Sequence, residues 1–165
     1  MKVYYPPKKL PKSFGKWSLF LSGSIEMGTA VDWQSRAIAM LKDDDIAVMN
    51  PRRKDWDASW KQSIDEPKFM EQVTWELDGL KRADLIIVNF VPGTKSPITL
   101  LELGLFAASK PMLVVCPEGY WRKGNVDIVC ERYELSQLST VESAVGVIKD
   151  FIADSPWTDT RKVLF

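Results

Sequence analysis

Histidine is absent from the whole chain of 165 residues, and this absence narrows the chemistry available to it. Without an imidazole there is no Ser-His-Asp triad and no Cys-His pair to activate a nucleophile. The commonest nitrogen ligand of protein-bound metals is missing as well. If the chain is an enzyme, carboxylates are therefore the leading candidates for its acid, its base or its nucleophile.

Cysteine is scarce, and long apolar runs are missing. Cys116 and Cys130 match neither a disulfide framework nor a zinc-ligand spacing, so we expect two reduced thiols. No uninterrupted apolar run approaches the roughly 20 residues of a membrane span. The opening "MKVYYPPKKLPKSFGKW" has no apolar core segment of the kind found in secretory signals. These features predict a soluble, cytoplasmic protein with no membrane partner.

The chain has no net charge, because its 22 lysines and arginines balance its 22 aspartates and glutamates. The chain therefore lacks the basic footprint of a protein that binds nucleic-acid polymers or membrane surfaces. Any charged ligand has to be held by local groups. Hydrophobic residues, in contrast, make up 45% of the chain, which suffices for the core of a single domain.

The apolar segments predict one α/β domain. We predict an extended N-terminal arm over residues 1–16, the domain over residues 17–155 and a C-terminal tail over residues 156–165. Helical segments alternate with five short runs: "KWSLFLSG", "DIAVMNP", "DLIIVNFV", "KPMLVVCP" and "YELSQL". Continuous apolar strands are typical of a parallel sheet covered on both faces. We predict a five-stranded, flavodoxin/Rossmann-like three-layer sandwich with strand order 2-1-3-4-5.

This strand order locates a site before any motif is considered. Ligands of such sheets bind beyond the carboxyl ends of the strands where the order switches, here between the first and third predicted strands. The loops at that point are "SGSIEMG" and "VPGTKSP". Ser22, Gly23 and Ser24 offer two hydroxyls and a glycine that lets backbone approach a sugar or phosphate, although such loops are also common turns.

One acid stands among apolar residues in "KSPITLLELGLFAASK", namely Glu102. No solvent face is evident there, so we predict a buried helix with Pro97 in its first turn. The carboxylate can point into the crevice, because helical side chains lean toward the N-terminus. The positive end of the helix favours its ionised form, whereas burial opposes it. Glu102 is therefore either a nucleophile or electrostatic catalyst, or an acid that bonds free N–H groups of its own helix.

Three other polar residues border the same edge. Asn50 and Arg52 follow the second predicted strand in "NPRR", where they either bind an anion or a hydroxyl or belong to a solvated loop. Glu76 lies in the helix before the third strand, where a surface acid is the default interpretation. Position alone leaves the role of all three open.

Five blocks of the sequence occur in order: "LFLSGSIEMG", "VMNPRRKDWDASW", "VTWELDGLKRADLIIVNF", "SPITLLELGLFA" and "CPEGYWRKGNVDIVCERY". Together, from about Leu19 to Tyr133, they resemble the nucleoside 2-deoxyribosyltransferase-like family. The resemblance implies a nucleoside or nucleotide substrate and a homo-oligomer, because members of the family form dimers and larger assemblies with shared sites.

In that family, a glutamate on the helix after the third strand attacks the anomeric carbon and displaces the base. The "ELG" of this chain matches that motif, so the resemblance implies that Glu102 is the nucleophile. An acid one helix earlier contacts the base, which implies Glu76 in "WELDGL", where the transferases have an aspartate. Ser96 stands where they carry a second aspartate, six residues before the nucleophile.

The resemblance also implies contacts to the sugar. An asparagine in the loop after the fourth strand touches it, often across a subunit boundary, and Asn125 is the candidate. The loop after the first strand, with Ser22, Gly23 and Ser24, lines the sugar or its 5′-phosphate.

The implied reaction breaks an N-glycosidic bond through a glycosyl-enzyme ester, by analogy with retaining glycosidases. If a second base accepts the sugar, the chain is a transferase, and if water accepts it, the chain is a hydrolase. Neither reaction needs a metal or a cofactor. The alternative is a non-catalytic nucleotide-binding module with the same fold, which the serine at position 96 favours. Self-association is also predicted by the apolar residues of the tail, Trp157, Val163, Leu164 and Phe165.

Overall fold

The computed structural model describes residues 1–28 and 30–155. These residues form a parallel sheet flanked by helices. The strands are β1 (Lys2–Tyr4), β2 (Trp17–Gly23), β3 (Ile46–Met49), β4 (Leu85–Asn89), β5 (Met112–Val115) and β6 (Ser136–Leu138). The helices are α1 (Trp33–Met40), α2 (Pro67–Arg82), α3 (Pro97–Phe106), α4 (Lys123–Arg132) and α5 (Val141–Asp154), with a 3-10 turn at Glu26–Gly28.

The sheet has the order β1-β3-β2-β4-β5-β6. Strands β2 to β6 are the five predicted strands, and they lie in the predicted order 2-1-3-4-5, so the predicted sandwich is confirmed. The strand β1 is an addition from within the predicted arm, and it pairs with β3 so that Val3 lies opposite Val48. Three residues are too few for a recognisable apolar run. The boundaries at 17 and 155 stay predictions, and the tail 156–165 lies outside the described residues.

Two apolar layers cover the faces of the sheet. In β2, Leu19 and Leu21 belong to the cluster under α1 and α5, whereas Phe20 belongs to the cluster under α2, α3 and α4. The pleat of the strand explains this alternation, because it turns successive side chains to opposite faces. All three side chains are fully buried. Each contributes on the order of 1.5–3 kcal/mol through apolar burial, which makes β2 the centre of the fold.

The helix α3 is not buried on every side, which corrects the prediction for this segment. Ile98, Leu101 and Leu105 are 57%, 57% and 54% exposed, whereas Glu102 and Leu103 are buried against the sheet. Residues three and four positions apart share one side of a helix, so the exposed three form a single apolar stripe. This stripe cannot be recognised from the sequence, because apolar residues occupy both faces of the helix.

The segment after β5 is more helical than predicted, because α4 has ten residues rather than one or two turns. Cys116 and Cys130 are free and buried, and burial raises the pKa of each thiol to about 11. Neither is a thiolate at neutral pH. Within the described part of the chain, no helix combines the length and the apolar character needed to cross a membrane.

Candidate functional site

Glu102 lies at the switch point of the sheet, where β2 and β4 end side by side. Ser22, near the carboxyl end of β2, donates its hydroxyl to Glu102 Oε2 over 2.6 Å. The carboxylate is buried, with 7% of the residue exposed. The bond from Ser22 is to Oε2, and no side chain or backbone group of the described residues hydrogen-bonds the other oxygen, Oε1. The predicted position of Glu102 in the crevice therefore matches the structure.

Burial sets the protonation of Glu102. It raises the pKa of this carboxyl to about 7, although the hydrogen bond from Ser22 favours the ionised form and opposes part of the rise. At neutral pH a substantial fraction of Glu102 is ionised. A partly desolvated carboxylate with one free oxygen is suited to nucleophilic attack.

A second carboxyl group lies close by on α2. Gln72 Nε2 donates to Glu76 Oε1 over 2.8 Å and to the carbonyl oxygen of Pro51 over 2.9 Å. Burial raises the pKa of Glu76 to about 8, and the negative charge of Glu102 raises it further, whereas the bond from Gln72 lowers it. Glu76 is half-buried, and the default interpretation of a surface acid is wrong. At neutral pH this carboxyl is mainly protonated.

Three hydroxyls cluster at the same edge of the sheet, in the two loops that the predicted strand order identifies. Ser24 Oγ lies 2.6 Å from Ser96 Oγ and 2.8 Å from Thr94 Oγ1. Thr94 and Ser96 are themselves 2.9 Å apart. The backbone N–H of Val91 donates to Ser24 Oγ over 2.9 Å, which ties the cluster to the end of β4. Of the three, Thr94 was not identified as a site residue, although its loop was.

Glu26 is a further residue at this edge that the sequence analysis does not identify. Its Oε1 accepts hydrogen bonds from the backbone N–H groups of Lys95 and Ser96, each over 2.6 Å. Ser96 is the N-cap of α3 and has a left-handed backbone with φ of 45°. The acid in "SGSIEMG" was the only available signal, and an isolated loop acid is an ordinary surface feature.

Gly23 is required by close packing at the end of β2. A Cβ atom there would lie 2.4 Å from the carbonyl oxygen of Asn89 and 2.6 Å from Trp33 Cζ2. The Trp33 ring is fixed in turn, because its Nε1 donates to the carbonyl oxygen of Ser24 over 3.1 Å. The structure therefore assigns Gly23 a packing role, which leaves its predicted contact with a ligand as a prediction.

Asn50 and Arg52 lie beyond the carboxyl end of β3, and both are engaged within the chain. Asn50 Oδ1 accepts from the backbone N–H of Arg52 over 3.0 Å. The Arg52 guanidinium donates to Gln34 Oε1 over 3.3 Å and lies 3.4 Å from Asp32. This geometry is that of a folded loop, and their predicted role in ligand binding stays a prediction.

Two buried amides retain unused hydrogen-bonding capacity, and sequence analysis identified neither. Gln34 Nε2 and Gln72 Oε1 are buried without a hydrogen-bond partner among the described residues. Their orientation follows from their other contacts, because Arg52 only donates to Gln34 and the Pro51 carbonyl only accepts from Gln72. Buried polar atoms are normally paired, so these two sites are available to a bound molecule or to water.

Asn125 takes no part in the hydrogen bonds of these groups. It belongs to the first turn of α4 rather than to a loop, and it is exposed. Its side chain has no hydrogen bond with any described residue of the chain. The preceding loop is nevertheless tied to the site, because Tyr120 and Trp121 donate to the carbonyl oxygen of Lys95 over 2.8 and 3.1 Å. In residues 1–28 and 30–155 no cluster of three acids or cysteines suited to a metal ion is found.

Comparisons with known proteins identify the fold and the family of the chain. The chain is similar to the crystal structure of a conserved protein from Enterococcus faecalis V583, with a TM-score of 0.59 and 12% identity over 82% of this chain and 98% of that one. A likeness at this identity shows the fold alone. Among curated proteins there is no match. A family model described as "nucleoside 2-deoxyribosyltransferase like" matches residues 16–120, more than half of the chain, and spans Ser22, Glu76 and Glu102. The chain therefore belongs to the nucleoside 2-deoxyribosyltransferase-like family.

Proposed function

We propose that the chain cleaves the N-glycosidic bond of a nucleoside or nucleotide, with Glu102 as the nucleophile. The membership of the family supports a nucleoside-related enzyme. One observation supports the specific reaction, namely two neighbouring carboxyls at the switch point. Glu102 accepts a hydrogen bond from Ser22 over 2.6 Å, and the pKa of Glu76 is raised by burial and by the charge of Glu102.

The first step forms an ester. Glu102 Oε1 attacks the anomeric carbon, the bond from this carbon to the base nitrogen breaks, and its electron pair leaves with the base. Glu76 donates its proton to the departing base, which leaves as a neutral molecule. The oxocarbenium-like transition state is stabilised by the negative charge of Glu102 at short range.

The second step releases the sugar. An acceptor attacks the anomeric carbon of the ester, and the Glu102 carboxylate leaves. Glu76, now ionised, takes the proton that the acceptor loses. A second base as acceptor gives 2-deoxyribosyl transfer, and water gives hydrolysis. Both outcomes use the same residues, and neither requires a metal or a cofactor in this scheme.

The different protonation states of Glu102 and Glu76 support the roles of nucleophile and proton donor. Burial raises the pKa of Glu102 to about 7 and, together with the charge of Glu102, raises the pKa of Glu76 to about 8. The working form has an ionised Glu102 and a protonated Glu76. Environments that separate the pKa values of two neighbouring acids are a common basis for acid and nucleophile assignments.

The remaining predicted residues are assigned to substrate binding. Ser22, Gly23 and Ser24 line the sugar together with Ser96, which is part of the hydroxyl cluster. The nucleobase lies beside Glu76 in this proposal. Asn50 and Arg52, beyond the end of β3, border the same part of the site. Arg52→Ala tests whether the Arg52 guanidinium binds a 5′-phosphate. The rate of base release is measured for the variant with a nucleoside and with its 5′-monophosphate, and the two rates are compared.

We also propose that the chain is a homo-oligomer. The apolar stripe of Ile98, Leu101 and Leu105 on α3 is more than half exposed and lies on the helix that carries Glu102. Exposed apolar clusters of this kind often mark an interface. Asn125 is exposed on α4, which supports a role at the site of a partner. A cytoplasmic location stays a prediction from the sequence.

The alternative function is a nucleotide-binding module that does not turn over its ligand. Ser96 supports it, because an aspartate of the transferases is replaced by a residue without charge. A panel of nucleosides and 5′-nucleotides, analysed by chromatography for free base, separates the two functions. Base release from any member supports the enzyme, and binding of several members without base release supports the module.

A further inference from the structure

The amide of Gln72 has one polar atom that the described chain does not use. Its Nε2 donates to the carbonyl oxygen of Pro51 over 2.9 Å and to Glu76 Oε1 over 2.8 Å. An amide nitrogen has two hydrogens, so these two bonds use its whole capacity as a donor. Gln72 Oε1 is buried and has no hydrogen-bond partner among the described residues. The side chain, 4% exposed, therefore keeps one free acceptor.

The bond to Pro51 fixes which end of this amide is free. A backbone carbonyl oxygen can only accept, so Pro51 requires the nitrogen of Gln72 on its side. Exchanging the two ends of the amide would set the Gln72 oxygen against the Pro51 oxygen and lose that bond. An amide oxygen has no hydrogen to donate. The free position of Gln72 is therefore an acceptor and cannot serve as a donor.

The free acceptor adjoins the proposed proton donor. Gln72 and Glu76 are four residues apart on α2, so their side chains lie on one side of the helix. The two polar atoms of an amide share one carbon, which places Gln72 Oε1 one amide width from the bond to Glu76. Because Gln72 donates to Oε1 of Glu76, the proton of the neutral Glu76 carboxyl belongs on Oε2. The pair then offers one donor and one acceptor close together.

This pattern complements a base that has an amino group beside a ring nitrogen. Adenine presents N7 as an acceptor and its 6-amino group as a donor on one edge, whereas guanine presents two acceptors, N7 and O6. Cytosine likewise has an amino group where thymine has a carbonyl oxygen. A carbonyl oxygen of the base would face Gln72 Oε1, and two acceptors form no hydrogen bond. Leaving buried acceptors unpaired is unfavourable, so the second kind of base binds less well.

We propose that Gln72 determines base specificity, so that the site takes bases with an amino group, adenine and cytosine, and rejects bases with a carbonyl oxygen in its place. Gln72 Oε1 accepts from the amino group, and Glu76 gives its proton to the neighbouring ring nitrogen. Glu76 is the less buried of the two residues, so the base enters from its side. The inference rests on the proposed function for the identity of the ligand as a nucleobase. The free acceptor of Gln72 does not depend on that function.

The test compares bases that differ in this one substituent. The specificity constant kcat/KM is measured for deoxyadenosine and deoxyinosine, which both offer N7 as an acceptor but have an amino group and a carbonyl oxygen at position 6. Deoxycytidine and deoxyuridine form the second pair, and each pair is also measured as 5′-monophosphates. We expect the parent to favour the amino member of a pair by at least about tenfold.

Gln72→Met removes both polar atoms and keeps the length of the side chain. We expect it to lower the preference for the amino member by at least about tenfold. Gln137→Met is the matched control, because Gln137 is exposed on β6 and also donates its Nε2 to a carboxylate, that of Asp127, over 2.8 Å. It should keep the preference of the parent. If Gln72→Met lowers kcat/KM equally for both members of a pair, Gln72 only holds Glu76 in place and the inference is wrong.

A binding measurement keeps this inference separate from the proposed reaction. Free adenine and free hypoxanthine are titrated by calorimetry into the parent and both variants. If no base is released from any substrate, the proposed function fails, but a preference for adenine that is lost in Gln72→Met alone still supports the role of Gln72.

The parent can overturn the inference without any variant. If it binds and cleaves the carbonyl compounds as well as the amino compounds, Gln72 does not select the base. The inference is equally wrong if the parent binds neither free base and cleaves no substrate. These measurements on the parent decide the matter if circular dichroism shows that Gln72→Met fails to fold.

Discussion

Ser22 and Ser18 lie on the same strand, and each donates its hydroxyl to a buried carboxylate over 2.6 Å, to Glu102 and to Asp84 respectively. Both bonds join a serine hydroxyl to a carboxylate, but they lie at opposite ends of β2, and Ser18 and Asp84 are joined by two further hydrogen bonds through their backbone N–H groups. Only the bond of Ser22 reaches the carboxylate that we propose as the nucleophile. This pair of serines therefore offers a way to separate an effect on catalysis from an effect on stability.

Ser22→Ala should move the acidic limb of the activity profile upward in pH. The hydrogen bond from Ser22 lowers the pKa of Glu102, so its loss raises that pKa, by about one unit if the bond contributes about 1.4 kcal/mol. Ser18→Ala loses the bond to the Asp84 carboxylate and a second bond from the backbone N–H of Asp84, and it should lower stability without moving the limb. An unchanged limb in Ser22→Ala, measured as kcat/KM against pH, contradicts the role of Ser22.

Glu102→Gln should abolish base release and preserve binding. The amide retains the shape of the carboxyl but has almost no nucleophilicity, so turnover should fall by several orders of magnitude while ligand affinity stays within about tenfold, or about 1.4 kcal/mol. Chromatography of the free base measures the first effect and calorimetry the second. Glu131→Gln, on the exposed side of α4, is the control. Turnover within a factor of about ten of the parent rules out Glu102 as the nucleophile.

The pH profile of base release should be a narrow bell between about 7 and about 8. Activity rises as Glu102 loses its proton, with a pKa raised to about 7, and falls as Glu76 loses its proton, with a pKa raised to about 8. Glu76→Gln should lower kcat and remove the alkaline limb, because the amide cannot donate a proton to the base. If Glu76→Gln keeps that limb, another group is the acid.

The free energy of unfolding should fall as the pH rises from about 4.5 to about 8. Both acids have pKa values raised above the ordinary 4.5 in the folded chain, so over this range the folded state binds more protons than the unfolded state. Each contributes up to about 1.4 kcal/mol per pH unit until its folded pKa is passed. Urea titrations at several pH values measure the slope, which Glu76→Gln should reduce. A flat profile in the parent contradicts the buried character of the pair.

Leu101→Arg should weaken self-association. Leu101 lies in the middle of the apolar stripe with Ile98 and Leu105, and it is 57% exposed in the single chain. A charge at the centre of an apolar interface is unfavourable, whereas on an open surface it has little effect. Light scattering at micromolar concentration should show an oligomer for the parent and a smaller species for the variant. A monomeric parent contradicts the proposed oligomer.

Much of the fold follows from local patterns in the chain. The strands β2 to β5 are continuous apolar runs with turn residues between them, and this pattern predicts both a parallel sheet and its switch point. Glu102 was identifiable for the same reason, because an acid among leucines on the helix after β4 is conspicuous. Local patterns suffice where a residue's role depends on its own strand or helix.

Other features depend on contacts between distant segments. Glu26 and Ser96 are seventy positions apart, yet their bond places a carboxylate on the N-terminus of α3. The position of Glu76 in the sequence indicates a surface acid by default, and only the family resemblance implies a site residue. Its burial depends on distant segments, because Gln72 beside it bonds the carbonyl oxygen of Pro51 and the charge of Glu102 lies nearby. The exposed stripe on α3 also depends on distant contacts. Apolar residues occupy both faces of this helix, and only its packing against the sheet determines which face is buried. Burial and the electrostatic field at a residue are set by whichever segments fold against it, and no local periodicity encodes them.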